Sequence, residues 1–153
     1  MTRTAGSLES RDDDDLPPAE FAFPGPLRDQ LVTAILHGSK TSTTSLLAQY
    51  CTGDEPLPVV GERQRVIDSH GCPVAVIETV AVRTARLGDV DLEHARDEGE
   101  GFDSVAAWRV AHEKFWQGSE MRHDLDDPAY TTNDDTRVVL ERFRVVRVLG
   151  GQS

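Results

Sequence analysis

LRDQLVTAILHGSKTSTTSLL, residues 27–47, is the stretch whose reading decides the fold of this chain. Leu27, Leu31, Ala34 and Ile35 recur at helical spacing and make one apolar stripe. Pro26 suits a first helical position, and Gly38 suits the left-handed residue that ends a helix. The spacing therefore predicts a short amphipathic helix, a glycine stop and a polar turn carrying Lys40, Thr41, Ser42, Thr43, Thr44 and Ser45. One amine beside five hydroxyls is unusual chemistry for a connector. Of the 16 basic residues only Lys40 and Lys114 are lysines; the rest are arginines. Arginine keeps its proton at any working pH, whereas a partly buried lysine can lose it. A titratable amine is thus the functional reading of Lys40, and a solvated lysine among turn formers is the plain one.

Outward from this stretch, Phe21 and Phe23 mark the start of the domain, and Leu46 to Tyr50 reads as a second short helix. Thr52 to Val60 is a loop by its Gly and Pro content. Glu62–Asp68 and Pro73–Ala85 read as a hairpin joined by Ser69-His70-Gly71, with Val74, Val76, Val80 and Val82 on one face. Asp89 or Asp91 caps a helix running to about Asp97, and Asp103 or Ser104 caps another running to about Gln117. In the latter, Trp108, Ala111, His112 and Phe115 share one stripe. Gly118 to Asp135 reads as a solvated loop without the D-x-D-x-D-G spacing of a calcium site. Arg137 to Leu149 suits a closing strand. Strands with helices set between them predict an α+β fold.

Composition excludes several classes. No apolar run is long enough to cross a bilayer, and the acidic N-terminus is not a basic-then-apolar signal. A cytoplasmic protein is the expectation. Residues 1–20 form an acidic tail with a run of four Asp and Pro17-Pro18, expected to be disordered up to about Ala19; residues 21–150 are the domain. The net charge is −11, and without the tail 14 basic residues face 21 acidic ones, a net of −7. That balance argues against a broad grip on nucleic acid. Cys51 and Cys72 lack metal or redox spacing and read as reduced thiols.

The run Gly38-Ser39-Lys40-Thr41-Ser42-Thr43 resembles the G-x-K-x-x-[TE] signature of the ASCH family, small PUA-like β-barrel domains. Glu55-Pro56-Leu57-Pro58, Val60-Gly61-Glu62, Glu98-Gly99-Glu100-Gly101 and Trp108-Arg109-Val110-Ala111-His112 follow in the order seen in its bacterial subgroup of about this length. The resemblance implies a PUA-like barrel with flanking helices and a site made of Lys40, Thr43 and Glu98, with Glu100 the competing acid. Substrate contacts are expected from Thr44, Ser45, Glu100, Trp108 and Arg109. His112 reads as a core histidine. Arg109 is expected either to meet a phosphate or to pair with Glu100.

Two activities follow from the resemblance. One is a ribonuclease cutting single-stranded RNA with a divalent metal, Mg²⁺ or Mn²⁺, which Glu98, Glu100 and water would hold; this is the leading expectation. The other is an amidohydrolase of an N4-acetylcytidine-type nucleoside that uses Lys40, Thr43 and Glu98. A non-catalytic RNA- or nucleotide-binding module is the third alternative. The expected partners are single-stranded RNA or a modified nucleoside, no membrane, and a second copy of the chain in a homodimer.

Overall fold

The protein is described here by a computed structural model covering residues 15–53 and 55–149. Five strands form one sheet: β1 (Pro18–Ala19), β2 (Ser42–Leu46), β3 (Arg63–Ile67), β4 (Pro73–Arg86) and β5 (Arg137–Val148). The α-helices among the described residues are α1 (Pro26–His37), α2 (Leu47–Gly53), α3 (Leu92–Asp97), α4 (Val105–Trp116) and α5 (Ser119–Asp124). The sheet order is β1-β3-β4-β5-β2, with β1 parallel to β3 and the other pairs antiparallel. This α+β arrangement is a half-barrel wrapped by helices.

Alternation along β5 separates two cores. Val138 and Leu140 face Leu46, Ala85, Leu87, Trp108, Trp116, Met121 and Leu125, so α4 and α5 cover this side. Phe143 faces Phe21, Leu31, Val32, Ile35, Val66 and Ile77, so α1 and the entering chain cover the other. Neither set of helices could bury its stripe without the sheet between them. Arg28 of α1 is buried, and donates to the carbonyls of Phe21, Ala22 and Asp68, tying the entering chain to the β3–β4 turn.

The helix predicted around Leu31 is present, and Gly38 ends it at φ 85° while its N–H reaches back to the Ile35 carbonyl. The expected polar turn is instead an edge strand. Residues 42–46 alternate buried and half-buried, since Ser42 and Thr44 find partners for their hydroxyls and Leu46 enters the core. Three further corrections apply. β5 lies between β4 and β2 rather than closing the sheet. Register shifts at Val76/Ile77 and Thr79/Ala81 break the strict alternation expected of β4, and Val80 is exposed. The Gly118–Asp135 loop holds α5, whose Met121, with Leu125 just beyond it, supplies apolar burial that a loop reading misses.

The expectation for the acidic tail falls on residues 1–14, which lie outside the described residues. Its last part is corrected. Pro18–Ala19 pair with Arg65–Val66, and the Leu16 carbonyl accepts from Arg65 Nε, so the chain is tied down before Phe21. Cys51 and Cys72 are both free and exposed. No helix among the described residues is long and apolar enough to cross a membrane.

Candidate functional site

Lys40 stands between the end of α1 and the start of β2, and its backbone is held from three sides. Its own N–H donates to the Ala34 carbonyl; Thr41 N–H donates to the Asp97 carbonyl at 2.7 Å, and the Thr41 carbonyl accepts from Phe143. Ser42 Oγ donates to the carbonyl of His94. The lysine side chain is thereby drawn inward, and the residue is only 2% exposed. Its Nζ donates to the Ser42 carbonyl at 2.7 Å, lies 3.7 Å from Glu98 Oε1 and stands 5.5 Å from the Phe21 ring centre.

Glu98 follows the last turn of α3, which Asp91 caps by accepting from His94 N–H. It is 2% exposed and fully engaged. Oε2 accepts from Thr44 Oγ1 at 2.5 Å and from Trp108 Nε1 at 3.2 Å, while Oε1 faces His112 Nε2 at 3.1 Å. Because Thr44 gives its only hydrogen to Glu98, it must accept from His94 Nε2, 2.8 Å away. Among the described residues no buried side-chain polar atom lacks a partner.

Hydrogen positions around His112 follow from its neighbours. Nδ1 lies 2.9 Å from the Trp108 carbonyl, which can only accept, so Nδ1 carries hydrogen. Nε2 faces Glu98 and also Glu100, 3.9 Å away. Burial works against an imidazolium, but the hydrogen bond to Glu98 and the charges of both acids outweigh it and raise the His112 pKa. Burial likewise opposes ionisation of Glu98, yet hydrogen bonds from His112 and His94 and the nearby amine hold it far below the carboxylate range. Burial raises Glu100. Glu98 therefore faces two basic partners, His112 at 3.1 Å and Lys40 at 3.7 Å. Burial then lowers the Lys40 pKa against the pull of Glu98, Glu100 and Glu141.

These directions fix a pH dependence. The folded-state pKa of His112 is raised, so its contribution to stability is complete below the unfolded value near ~6.5 and disappears as pH rises through the folded value. His112→Gln should consequently cost more stability at pH 6 than at pH 9 in urea titrations. A cost independent of pH would mean that Nε2 carries no charge.

The residues expected at the site divide into two sets. Lys40, Glu98, Glu100 and Thr44 converge as one cluster. Thr43 does not join it. It projects from the opposite face of β2, opposite Glu141 in register, and among the described residues it makes no hydrogen bond to Lys40 or Glu98. The cause is the strand itself, since alternation sends neighbouring threonines to opposite faces. Ser45 shares the Thr43 face, beside Tyr50. Trp108 is fully buried and serves Glu98, so its ring offers no surface for stacking a base. Arg109 pairs with Asp134 and Glu113 rather than Glu100. His94 and His112 were missed as partners of the acid. The signal was present in the His94–Glu98 and Trp108–His112 spacings of four residues, which place each pair on one helical face.

Glu98, Glu100 and His112 each offer a ligand atom, all within 4.8 Å of one another. The Nδ1–H to carbonyl contact of His112 is of the kind metal-bound histidines make. This donor set fits a hard divalent cation that keeps part of its water, on the condition that the ion displaces the His112 proton.

An ASCH domain family model matches residues 20–147. The chain is similar to the crystal structure of an ASCH domain from Lactobacillus crispatus, with 29% identity, a TM-score of 0.75, and coverage of 96% of this chain and 87% of the other. It shares its fold with a protein from Enterococcus faecalis at 23% identity and a TM-score of 0.78, again over 96% and 87% of the two chains. No functionally curated protein matches. The family model spans nearly all of the described domain, and the chain belongs to the ASCH domain family, whose PUA-like fold is that of RNA-binding modules.

Proposed function

We propose that this ASCH domain is a hydrolase that removes an acyl group from a modified nucleobase, free or in single-stranded RNA, with Lys40 as proton acceptor. The observation that carries this reading is the buried amine. Burial works against the charged form of both Lys40 and His112, but only for Lys40 does it outweigh the neighbouring acids and lower the pKa, although a carboxylate lies 3.7 Å away. A neutral amine accepts a proton from water as the water oxygen adds to an acyl carbonyl, so that the acyl group leaves as a carboxylic acid. The carbon–nitrogen bond then breaks, and the departing nitrogen takes the proton back. Glu98 favours a charged His112, and burial favours a neutral Lys40 against the pull of Glu98. An acidic protein with an enclosed site suits a small uncharged group better than a polyanion.

The second reading is the metal-dependent ribonuclease, supported by the Glu98–Glu100–His112 donor set. A bound Mg²⁺ or Mn²⁺ would supply a polarised water there. Lys40 beside Glu98 opposes it, because an ammonium or amine 3.7 Å from a ligand carboxylate competes for the same oxygen.

The two readings separate in one assay. Labelled single-stranded RNA and N4-acetylcytidine are each incubated with the protein, with and without EDTA. Deacetylation insensitive to EDTA, with a rate rising as pH increases through the lowered Lys40 pKa, is the expected result. Lys40→Arg places a fixed cation that cannot release its proton, and should cost at least ~100-fold in turnover. RNA cleavage abolished by EDTA and retained in Lys40→Arg would replace the first reading by the second.

A further inference from the structure

A second buried acid lies on the face of the sheet opposite Thr44, and the reaction above does not use it. Glu141 of β5 is 7% exposed. Its Oε2 accepts from Thr79 Oγ1 at 2.7 Å, which fixes the carboxyl. Its Oε1 has no hydrogen-bond partner among the described residues, and because no buried polar atom there lacks one, Oε1 must reach accessible space. Thr43 stands directly across from Glu141 in the β2–β5 register, which sets their Cβ atoms roughly 5 Å apart on one face. Ser45, two residues along, continues the row beside Tyr50.

The Thr79 hydroxyl anchors one oxygen of this carboxyl and leaves the other free to meet a ligand from accessible space. The charged groups acting on Glu141 are Glu62 and Lys40. Among the described residues no arginine acts on it, so a phosphate placed there would meet two acids and an amine already engaged with the Ser42 carbonyl. An uncharged ligand faces no such penalty. The hydroxyl of Thr43 can donate or accept, so the pair suits a group that carries an acceptor next to a donor.

We propose that Glu141 Oε1 and the Thr43 hydroxyl form a subsite that binds the edge of an uncharged nucleobase and rejects phosphate. Burial first, then Glu62, raise the Glu141 pKa against Thr79 and Lys40, which shifts the carboxyl toward the protonated form that can donate through Oε1. Thr43 thus binds substrate rather than completing a bond to Glu98. The inference rests on the nucleobase reading above, in that Lys40 would act on a substituent of the base held here.

Binding measured without turnover tests it. Cytidine and a six-nucleotide oligocytidine RNA are titrated against the wild-type protein, Glu141→Leu, Glu141→Gln and Thr43→Val by calorimetry, with circular dichroism as a check on folding. The wild type should bind at least one probe. Glu141→Leu should weaken that binding about tenfold, Thr43→Val several-fold, and Glu141→Gln less than about threefold, because an amide also donates. Binding of the oligonucleotide alone would show that the base is read within RNA. Should Glu141→Leu fail to fold, Thr79→Val, which frees the carboxyl from its anchor, should still weaken binding several-fold. No binding of either probe by the wild type, unchanged affinity in folded Glu141→Leu, or an equal loss in Glu141→Gln would overturn the proposal. Intact, Glu141-dependent binding with no deacetylation would remove the proposed reaction and leave the subsite standing.

Discussion

Glu98→Ala should destabilise the protein by about 3–5 kcal/mol, the cost of leaving the partners of a buried charge without it. The deletion strands Thr44 Oγ1, Trp108 Nε1 and the His112 imidazolium together, all in an interior that water reaches poorly. For a domain of this size the loss corresponds to a fall in Tm of roughly 10 °C or more. Glu98→Gln is the informative companion. It keeps the shape and an acceptor for Thr44 and Trp108, yet no longer supports a charged His112. The amide variant should therefore recover much of the stability while abolishing the pH-dependent part assigned to His112. Thermal melts at pH 6 and pH 9 check both. Near-wild-type stability of Glu98→Ala at both pH values would mean that the network is far looser than its geometry.

Gly99→Ala should be nearly as damaging, and through the backbone alone. Gly99 has φ 78°, a region in which a side chain costs about 1–2 kcal/mol. A Cβ there would also lie 2.7 Å from the Ser39 carbonyl oxygen and 2.9 Å from Lys40 Cα. Backbone on both sides must move, so the total cost is expected to be about 2–4 kcal/mol. Displacing Lys40 by even ~1 Å should also reduce turnover on the order of 100-fold in the protein that remains folded. Gly101→Ala is the control. Its φ is 85° but a Cβ meets nothing within 4 Å, so it carries the conformational cost without the collision. Equal stability and turnover in the two variants would show that the close approach to Lys40 is unimportant. The Glu98-Gly99-Glu100-Gly101 run, readable from sequence as a flexible acidic turn, is at Gly99 a packing contact.

Much of this molecule was legible in the order of residues. The α1 stripe, the Gly38 stop, the β3–β4 hairpin and the caps of α3 and α4 are local patterns, although only the structure picks Asp91 over Asp89 and Ser104 over Asp103 as the capping residues. Residues 42–46 were misread because serine and threonine serve turns and strands alike. Only pairing with residues 138–142 of β5 makes them a strand. The same blindness hid α5, where two apolar residues among many acids give no readable period.

The site divides along the same line. That Lys40 is a rare amine after a glycine stop, and that acids at 98 and 100 could meet it, follows from residue type and family resemblance. Which threonine faces Glu98 does not, because a strand sends Thr43 and Thr44 to opposite sides and only the register with β5 says which side is which. The protonation pattern is likewise tertiary. Hydrogen bonds from His112, brought in by α4, and from His94 hold Glu98 far below the carboxylate range, while burial lowers the Lys40 pKa against the pull of that same acid. Sequence alone determined which chemical groups this protein owns and the local elements that carry them. The packing of α3 and α4 against an edge strand decided which of those groups touch, and hence which of them hold protons.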